Sequence, residues 1–159
     1  MRVLVFLHGT AIMHASAAGR PRAERVRQSR QRERSVTDFG CYVPTDAAVG
    51  KVRAWQRGGA DVSYLSSRRS AADARVDRDV LDRHGFPAGP VFFREPGESY
   101  ADVARRAAAD VVVEDDCESI GGSIEMAAPG LGDAVRCIVV PEFGGLAHLP
   151  DDPAELTAT

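Results

Sequence analysis

Three short polar runs hold the side chains that could do chemistry: His8-Gly9-Thr10, Ser66-Ser67-Arg68 and Glu114-Asp115-Asp116. An imidazole titrates near neutral pH, so His8 is suited to act as acid, base, nucleophile or metal ligand. The hydroxyls of Thr10, Ser66 and Ser67, the Arg68 guanidinium and the backbone N–H groups around Gly9 and Thr10 are groups that bind anions without reacting with them. Carboxylate oxygens at Asp115 and Asp116, with Glu114 beside them, suit a hard cation such as magnesium. Each group also has a plainer explanation. A histidine after an apolar strand can simply hydrogen-bond its neighbours, and an acidic run can be a solvated loop. Glu142 and His148 lie near the exit of a further apolar run and are placed to line the same mouth, although Pro141 to Gly145 reads equally well as a turn.

Each polar run follows at once on an apolar one. Residues 3–7, 62–65, 91–93, 111–113 and 137–140 are rich in β-branched and aromatic types, and they are apolar almost throughout instead of alternating. That pattern predicts strands covered on both faces, as in a parallel sheet, where helices must connect successive strands. The connecting segments supply them. A first helix opens at Pro44-Thr45-Asp46, buries Ala48, Val49, Val52 and Trp55, and stops at Gly58-Gly59. A second is capped by Ser70, turns Val76, Val80 and Leu81 inward, and ends at His84 with Gly85 left-handed. A third is capped by Ser99 and carries Tyr100, Val103, Ala104, Ala107 and Ala108 on one apolar stripe. In an open parallel sheet ligands bind beyond the carboxyl ends of the strands, which is where the three polar runs fall.

Residues 11–44 are too long for an ordinary strand-to-helix loop and predict an insertion with structure of its own. Arginines 20, 22, 25, 27, 30, 32 and 34 outnumber its acids, and Pro21 is placed at the first turn of a helix. The simple expectation is a solvated charged helix; the functional one is a lid or docking surface for an anionic ligand.

VLVFLHGT, VSYLSSRR and VVVEDDCES, in that order and at these intervals, together resemble the haloacid dehalogenase superfamily over most of residues 1–140. Members of that family begin with a strand ending in Asp-x-Asp-Gly-Thr, follow with one ending in Ser or Thr, and later present paired acids. The resemblance implies a Rossmann-like three-layer α/β/α domain with a mainly parallel sheet and residues 11–44 as a small helical cap. It also implies a phosphate cradle at Gly9, Thr10, Ser66, Ser67 and Arg68, and magnesium at Asp115 and Asp116 with Glu114, joined by the His8 carbonyl. The departures bear on function. The family's nucleophilic aspartate is Phe6 here, and its acid/base aspartate is His8. Phenylalanine has no lone pair with which to attack phosphorus or ligate a metal, so an aspartyl-phosphate cannot form at that position. The family's lysine is missing from residues 94–100, where Arg94 offers a cation of different reach and geometry.

At 159 residues and 44% hydrophobic content, one core is expected: a single domain over residues 1–150 with 151–159 as a tail. A net charge of -3 gives no global reason to bind nucleic acid or an anionic membrane. The opening apolar run is far shorter than a membrane span, and a cytoplasmic protein is expected. Cys41, Cys117 and Cys137 lack the close pairing that holds zinc and read as reduced, buried thiols. Three functions follow. The first is a non-catalytic or atypical domain that binds a phosphorylated small molecule; the second is a hydrolase rebuilt around His8 with Asp115 and Asp116; the third is an interaction module acting through the arginine-rich insertion.

Overall fold

The computed structural model describes residues 1–158. Five parallel strands form its sheet: β1 (Arg2–Phe6), β4 (Asp61–Leu65), β5 (Val91–Phe92), β6 (Val111–Asp115) and β7 (Arg136–Val140), in the order β5-β4-β1-β6-β7. The first strand is thus central. Val3 pairs with Val62 on one side and Val111 on the other. Two short strands, β2 (Ile12–Met13) and β3 (Val43–Pro44), pair antiparallel and close the neck of the insertion.

The period-two alternation of β1 sorts its side chains into two cores. Val3, Val5 and Leu7 point to helices α3 (Ala48–Arg57) and α4 (Ala71–His84), packing with Val52, Trp55, Val80 and Leu81. Leu4 and Phe6 point the other way, to α5 (Tyr100–Arg106) and α6 (Ala128–Leu131). The result is the expected three-layer Rossmann-like α/β/α arrangement. No helix among the described residues is long and apolar enough to cross a membrane.

Helix ends follow local chemistry. The Ser70 hydroxyl accepts from the N–H of Asp73, and Gly85 closes α4 at φ +75°, a backbone region where a Cβ is unfavourable. Ser99 and Asp102 form a capping box at the start of α5. The inward face of α4 differs from expectation. Val76 is exposed, and Ala74, Asp77, Val80 and Leu81 are buried, so the inward stripe holds the carboxylate of Asp77 in place of the expected Val76. The stripe of α5 is also shorter than expected, because the helix stops at Arg106 and Ala108 takes φ +52° on the surface; Ala101 and Ala109 are buried instead.

The insertion holds α1 (Arg22–Arg30) and α2 (Arg34–Thr37). Its first helix is not a free solvated rod. Val26 packs with Met13, Ala17 and Phe143, and Arg25 is buried, donating to the carbonyls of Ala17, Arg20 and Phe143 and to Asp46. The chain after residue 150 also returns to the core. Leu156 is buried in the larger cluster, Pro153 packs where a Cβ on Gly58 would clash, and Trp55 Nε1 donates to the Pro150 carbonyl at 2.9 Å. Of the cysteines, Cys117 is buried and Cys137 half-buried as free thiols, but Cys41 is exposed, because it sits in the 3-10 turn Phe39–Cys41 at the surface of the insertion.

Candidate functional site

The carboxyl edge of the sheet brings the three polar runs together, with the central strand dividing them. The turn after β1 is tightly bonded to itself. Leu7 O accepts from the N–H groups of Thr10, Ala11 and Ile12, and Gly9 N–H donates to Ile12 O at 2.9 Å. Thr45 ties the turn to β3, its Oγ1 donating to Thr10 O at 2.6 Å. The N–H groups of Gly9 and Thr10 are therefore committed within the turn, so an anion at this edge would have to find its donors among side chains.

On the β4 side of the turn, His8 Nε2 lies 3.0 Å from Asp77 Oδ1, and His8 Nδ1 lies 2.7 Å from Ser67 Oγ. The second oxygen of Asp77 accepts from Ser66 Oγ at 2.5 Å. Ser66 in turn accepts from the N–H of Arg68 at 3.0 Å, so its one proton is committed to Asp77 and it has none to offer an anion. Ser66 and Asp77 are buried, while Ser67 is exposed. A carboxylate only accepts, so Asp77 fixes the Nε2–H tautomer and leaves Nδ1 to accept from the Ser67 hydroxyl. The His8 ring is held edge-on between Phe39 and Tyr42, with centroids 5.5 and 5.4 Å away. The Arg68 guanidinium stacks 3.7 Å over the Phe39 ring.

On the β6 side, Asp115, Asp116 and Glu142 offer oxygen atoms within 4.8 Å of one another. Asp115 is buried and accepts from Thr10 Oγ1 at 2.7 Å and from Cys117 N at 3.1 Å. Burial outweighs those bonds and pushes its carboxyl up to about 6. Glu142 accepts from both the N–H and the hydroxyl of Ser119, each at 2.7 Å, yet burial, with Asp115 and Asp116 nearby, raises it to about 7. Gly9 closes against this group: a Cβ there would sit 2.8 Å from the Asp115 carboxylate oxygens.

Glu114 does not join the cluster. Strand alternation turns it to the opposite face, where its carboxylate accepts from the N–H groups of Ala127 and Ala128 at 2.8 and 2.7 Å and from the Cys137 thiol. It anchors the start of α6, and Glu142 stands in the cluster in its place. Phe6 also leaves the edge, packing edge-on against Tyr100 at 5.1 Å, with Arg94 stacked 4.0 Å over the other partner of that pair, Tyr100. His14 bonds to Gln28, and burial lowers its pKa; His84 bonds to the Tyr42 carbonyl. Asp77 is the residue that sequence reasoning missed. Its signal was present, since an acid stands at i+3 from Ala74 and i−3 from Val80 on the inward stripe of α4.

The insertion lies over this edge and leaves a half-open cleft of about 310 Å³, with His8 and Gly9 on its floor and Arg32, Phe39, Tyr42 and Ile120 among its walls. Most arginines of the insertion are engaged. Arg22 and Arg30 reach Glu118, Arg22 also approaches Asp116 at 3.8 Å, and Arg27 pairs with Glu24 and Glu33. Among the described residues, Arg32 and Arg68 have no ion pair, as is also true of Arg20 and Arg34 in the insertion; what distinguishes the first two is their place, in the cleft wall and on the Phe39 ring.

The sequence matches no protein-family profile and no curated protein. Solved structures show a likeness of fold. One is a chain of a Pnkp1/Rnl/Hen1 complex, matched over 89% of this chain with a TM-score of 0.55 at 12% identity. The protein spans 46% of that chain's length. Another is a D,D-heptose 1.7-bisphosphate phosphatase from B. bronchiseptica complexed with magnesium and phosphate, matched over 91% of this chain and 94% of that one, with a TM-score of 0.45 at 13% identity.

Proposed function

We propose that this is a haloacid dehalogenase-like domain, with residues 11–44 as its cap, that binds a phosphorylated small molecule in the roofed cleft and forms no aspartyl-phosphate. The observation that carries the reading is the pair of guanidinium groups, Arg32 in the cleft wall and Arg68 on the Phe39 ring, that have no carboxylate partner. A guanidinium in the wall of a half-open cleft, with a second stacked on a ring of that wall, favours a divalent oxyanion. The order of the three motif-like runs around a central β1 supports the family likeness. The place of the family's nucleophile is taken by Phe6, whose ring is spent on Tyr100.

Asp115, Asp116 and Glu142 fit a magnesium ion: they are hard oxygen donors, and two of them are buried carboxyls whose charge lacks compensation. When bound, the ion would neutralise these acids and hold a phosphate oxygen. The chain's own groups would orient the ligand through Arg32 and Arg68, while Val36, Phe39 and Tyr42 would wall the cleft from solvent.

Thermal shift in magnesium with inorganic phosphate and with a sugar phosphate tests this reading. At about 100-fold over Kd the ligand adds ~2.7 kcal/mol, a rise in Tm on the order of 5–10 °C. Arg68→Ala and Arg32→Ala should each remove most of the rise. The absence of any shift up to tens of millimolar phosphate would sink the proposal. The docking-module alternative finds less support, because Arg22, Arg25, Arg27 and Arg30 are already bonded within the chain. The rebuilt-hydrolase alternative is favoured by one observation, the bond from His8 to buried Asp77.

A further inference from the structure

We propose that Ser67 is a nucleophile activated by His8 and Asp77, giving the domain an acyl-transfer activity toward small carboxylic esters. The three side chains form one line: exposed Ser67 Oγ, 2.7 Å to His8 Nδ1, then Nε2, 3.0 Å to Asp77 Oδ1. Exposure of the first group and burial of the last are what such a relay requires, because the nucleophile must meet substrate and the carboxylate must be shielded. The nitrogens are used in the opposite sense from the familiar serine hydrolases, but either ring nitrogen can accept a proton when the other carries one. Ser66 completes the device: its bond to the second Asp77 oxygen holds the carboxylate plane toward His8.

In the reaction, Ser67 Oγ forms a bond to the ester carbonyl carbon as its proton passes to His8 Nδ1, and the carbonyl π pair moves onto oxygen. Asp77 faces the resulting imidazolium and stabilises it. Collapse re-forms the carbonyl and breaks the bond to the alcohol oxygen, which takes the proton from Nδ1 and leaves. Water then gives its proton to Nδ1 and attacks the acyl group, and Ser67 recovers its hydrogen as the carboxylic acid departs. The N–H of Ser67 donates to no acceptor among the described residues and is free to bind the oxyanion. The neighbouring cleft has apolar walls at Val36, Phe39, Tyr42 and Ile120, of a size for a short acyl chain. Asp77 touches no substrate and acts as a positioning residue.

The test is incubation of the full chain with diisopropyl fluorophosphate, read by intact mass and peptide mapping, beside p-nitrophenyl butyrate hydrolysis. The expected result is one adduct per chain on Ser67 and ester turnover that vanishes in Ser67→Ala, a surface change that leaves the fold intact. His8→Gln should slow labelling by about 100-fold or more. Asp77→Asn should lower kcat for p-nitrophenyl butyrate with KM little changed, a split that a purely structural role would not give. No adduct, an adduct elsewhere, or labelling of Ser67 at an unchanged rate in His8→Gln overturns the proposal. Any of those results leaves phosphate binding untouched, since that rests on Arg32 and Arg68.

Discussion

The two flanks of the β1 turn use buried carboxylates in opposite ways. On the β4 flank a single carboxylate, Asp77, is matched on both oxygens, by His8 Nε2 at 3.0 Å and Ser66 Oγ at 2.5 Å. On the β6 flank three acids crowd within 4.8 Å, and the Arg22 guanidinium bonds Glu118 at 2.6 Å and reaches Asp116 only at 3.8 Å. Burial raises Asp115 to about 6 and Glu142 to about 7. Each oxygen of Asp115 and Glu142 also has a donor, from Thr10, Cys117 and Ser119, so what separates the flanks is crowding of charge: a lone buried acid with its donors is a structural fixture, whereas crowded buried acids take up protons or a cation. The same sheet edge therefore holds one self-contained network and one that is incomplete without a guest.

The sharpest way to break this contrast is to remove the fixture. Asp77→Ala strips both donors of their acceptor and leaves His8 and Ser66 facing a small void inside the core. Breaking a buried hydrogen-bonded pair of this kind costs roughly 3–5 kcal/mol, about 10 °C in Tm for a chain of this size. Urea or thermal unfolding at pH 7 measures it. A loss under 1 kcal/mol would mean that Asp77 is not what holds this flank, and the distinction between the two sides would fall.

The sequence made one flank more legible than the other, for a physical reason. The sheet could be read because continuous apolar runs such as VVV at residues 111–113 have few other uses, and the helix caps because Ser70 and Ser99 act on backbone within three residues. The acids of β6 were visible as a run, but a run does not say which way each side chain points. Strand alternation sent Glu114 to α6 and left its place to Glu142, whose sequence separation of 28 residues is bridged by the pairing of β6 with β7. Asp77 was hidden by the opposite effect. A lone acid on an amphipathic helix reads as solvated surface, and only the fold shows that His8, 69 residues away, meets it. Hydrophobicity, the usual guide to helical phase, points Val76 inward, and a paired carboxylate overrides that guide.

A second prediction concerns pH. Asp115 and Glu142 keep their protons in the folded chain at pH values where the unfolded chain, with carboxyls near 4, has released them. Unfolding therefore releases protons between about pH 4.5 and 7, and stability falls as pH rises through that window, flattening above it. From pH 5 to pH 7.5 the loss covers about one unit on Asp115 and about two on Glu142, roughly 3–4 kcal/mol together, so in chelator Tm should drop on the order of 5–10 °C. Millimolar magnesium should restore most of the loss at pH 7.5 and add little at pH 5. A flat profile in chelator would show that the β6 acids are as well matched as Asp77.

The smallest expected effect discriminates best, because it changes sign. Glu142→Gln removes one charge from the acidic group but also replaces an oxygen that accepts from Ser119 with an amide nitrogen that cannot, so one of the two 2.7 Å bonds is lost. At pH 5 the wild-type carboxyl is already protonated, no repulsion is relieved, and the lost bond leaves the variant less stable by ~1 kcal/mol. At pH 8 in chelator the wild-type group is charged beside Asp115 and Asp116, and removing that charge outweighs the bond, so Tm rises by about 1–3 °C. The matched change on the other flank, Asp77→Asn, should be destabilising at both pH values, since Asp77 lies outside the acidic cluster and losing its charge weakens the bonds from His8 and Ser66. If Glu142→Gln is destabilising at pH 8 as well, the β6 acids are not under electrostatic load, and the case for a cation between them fails with it.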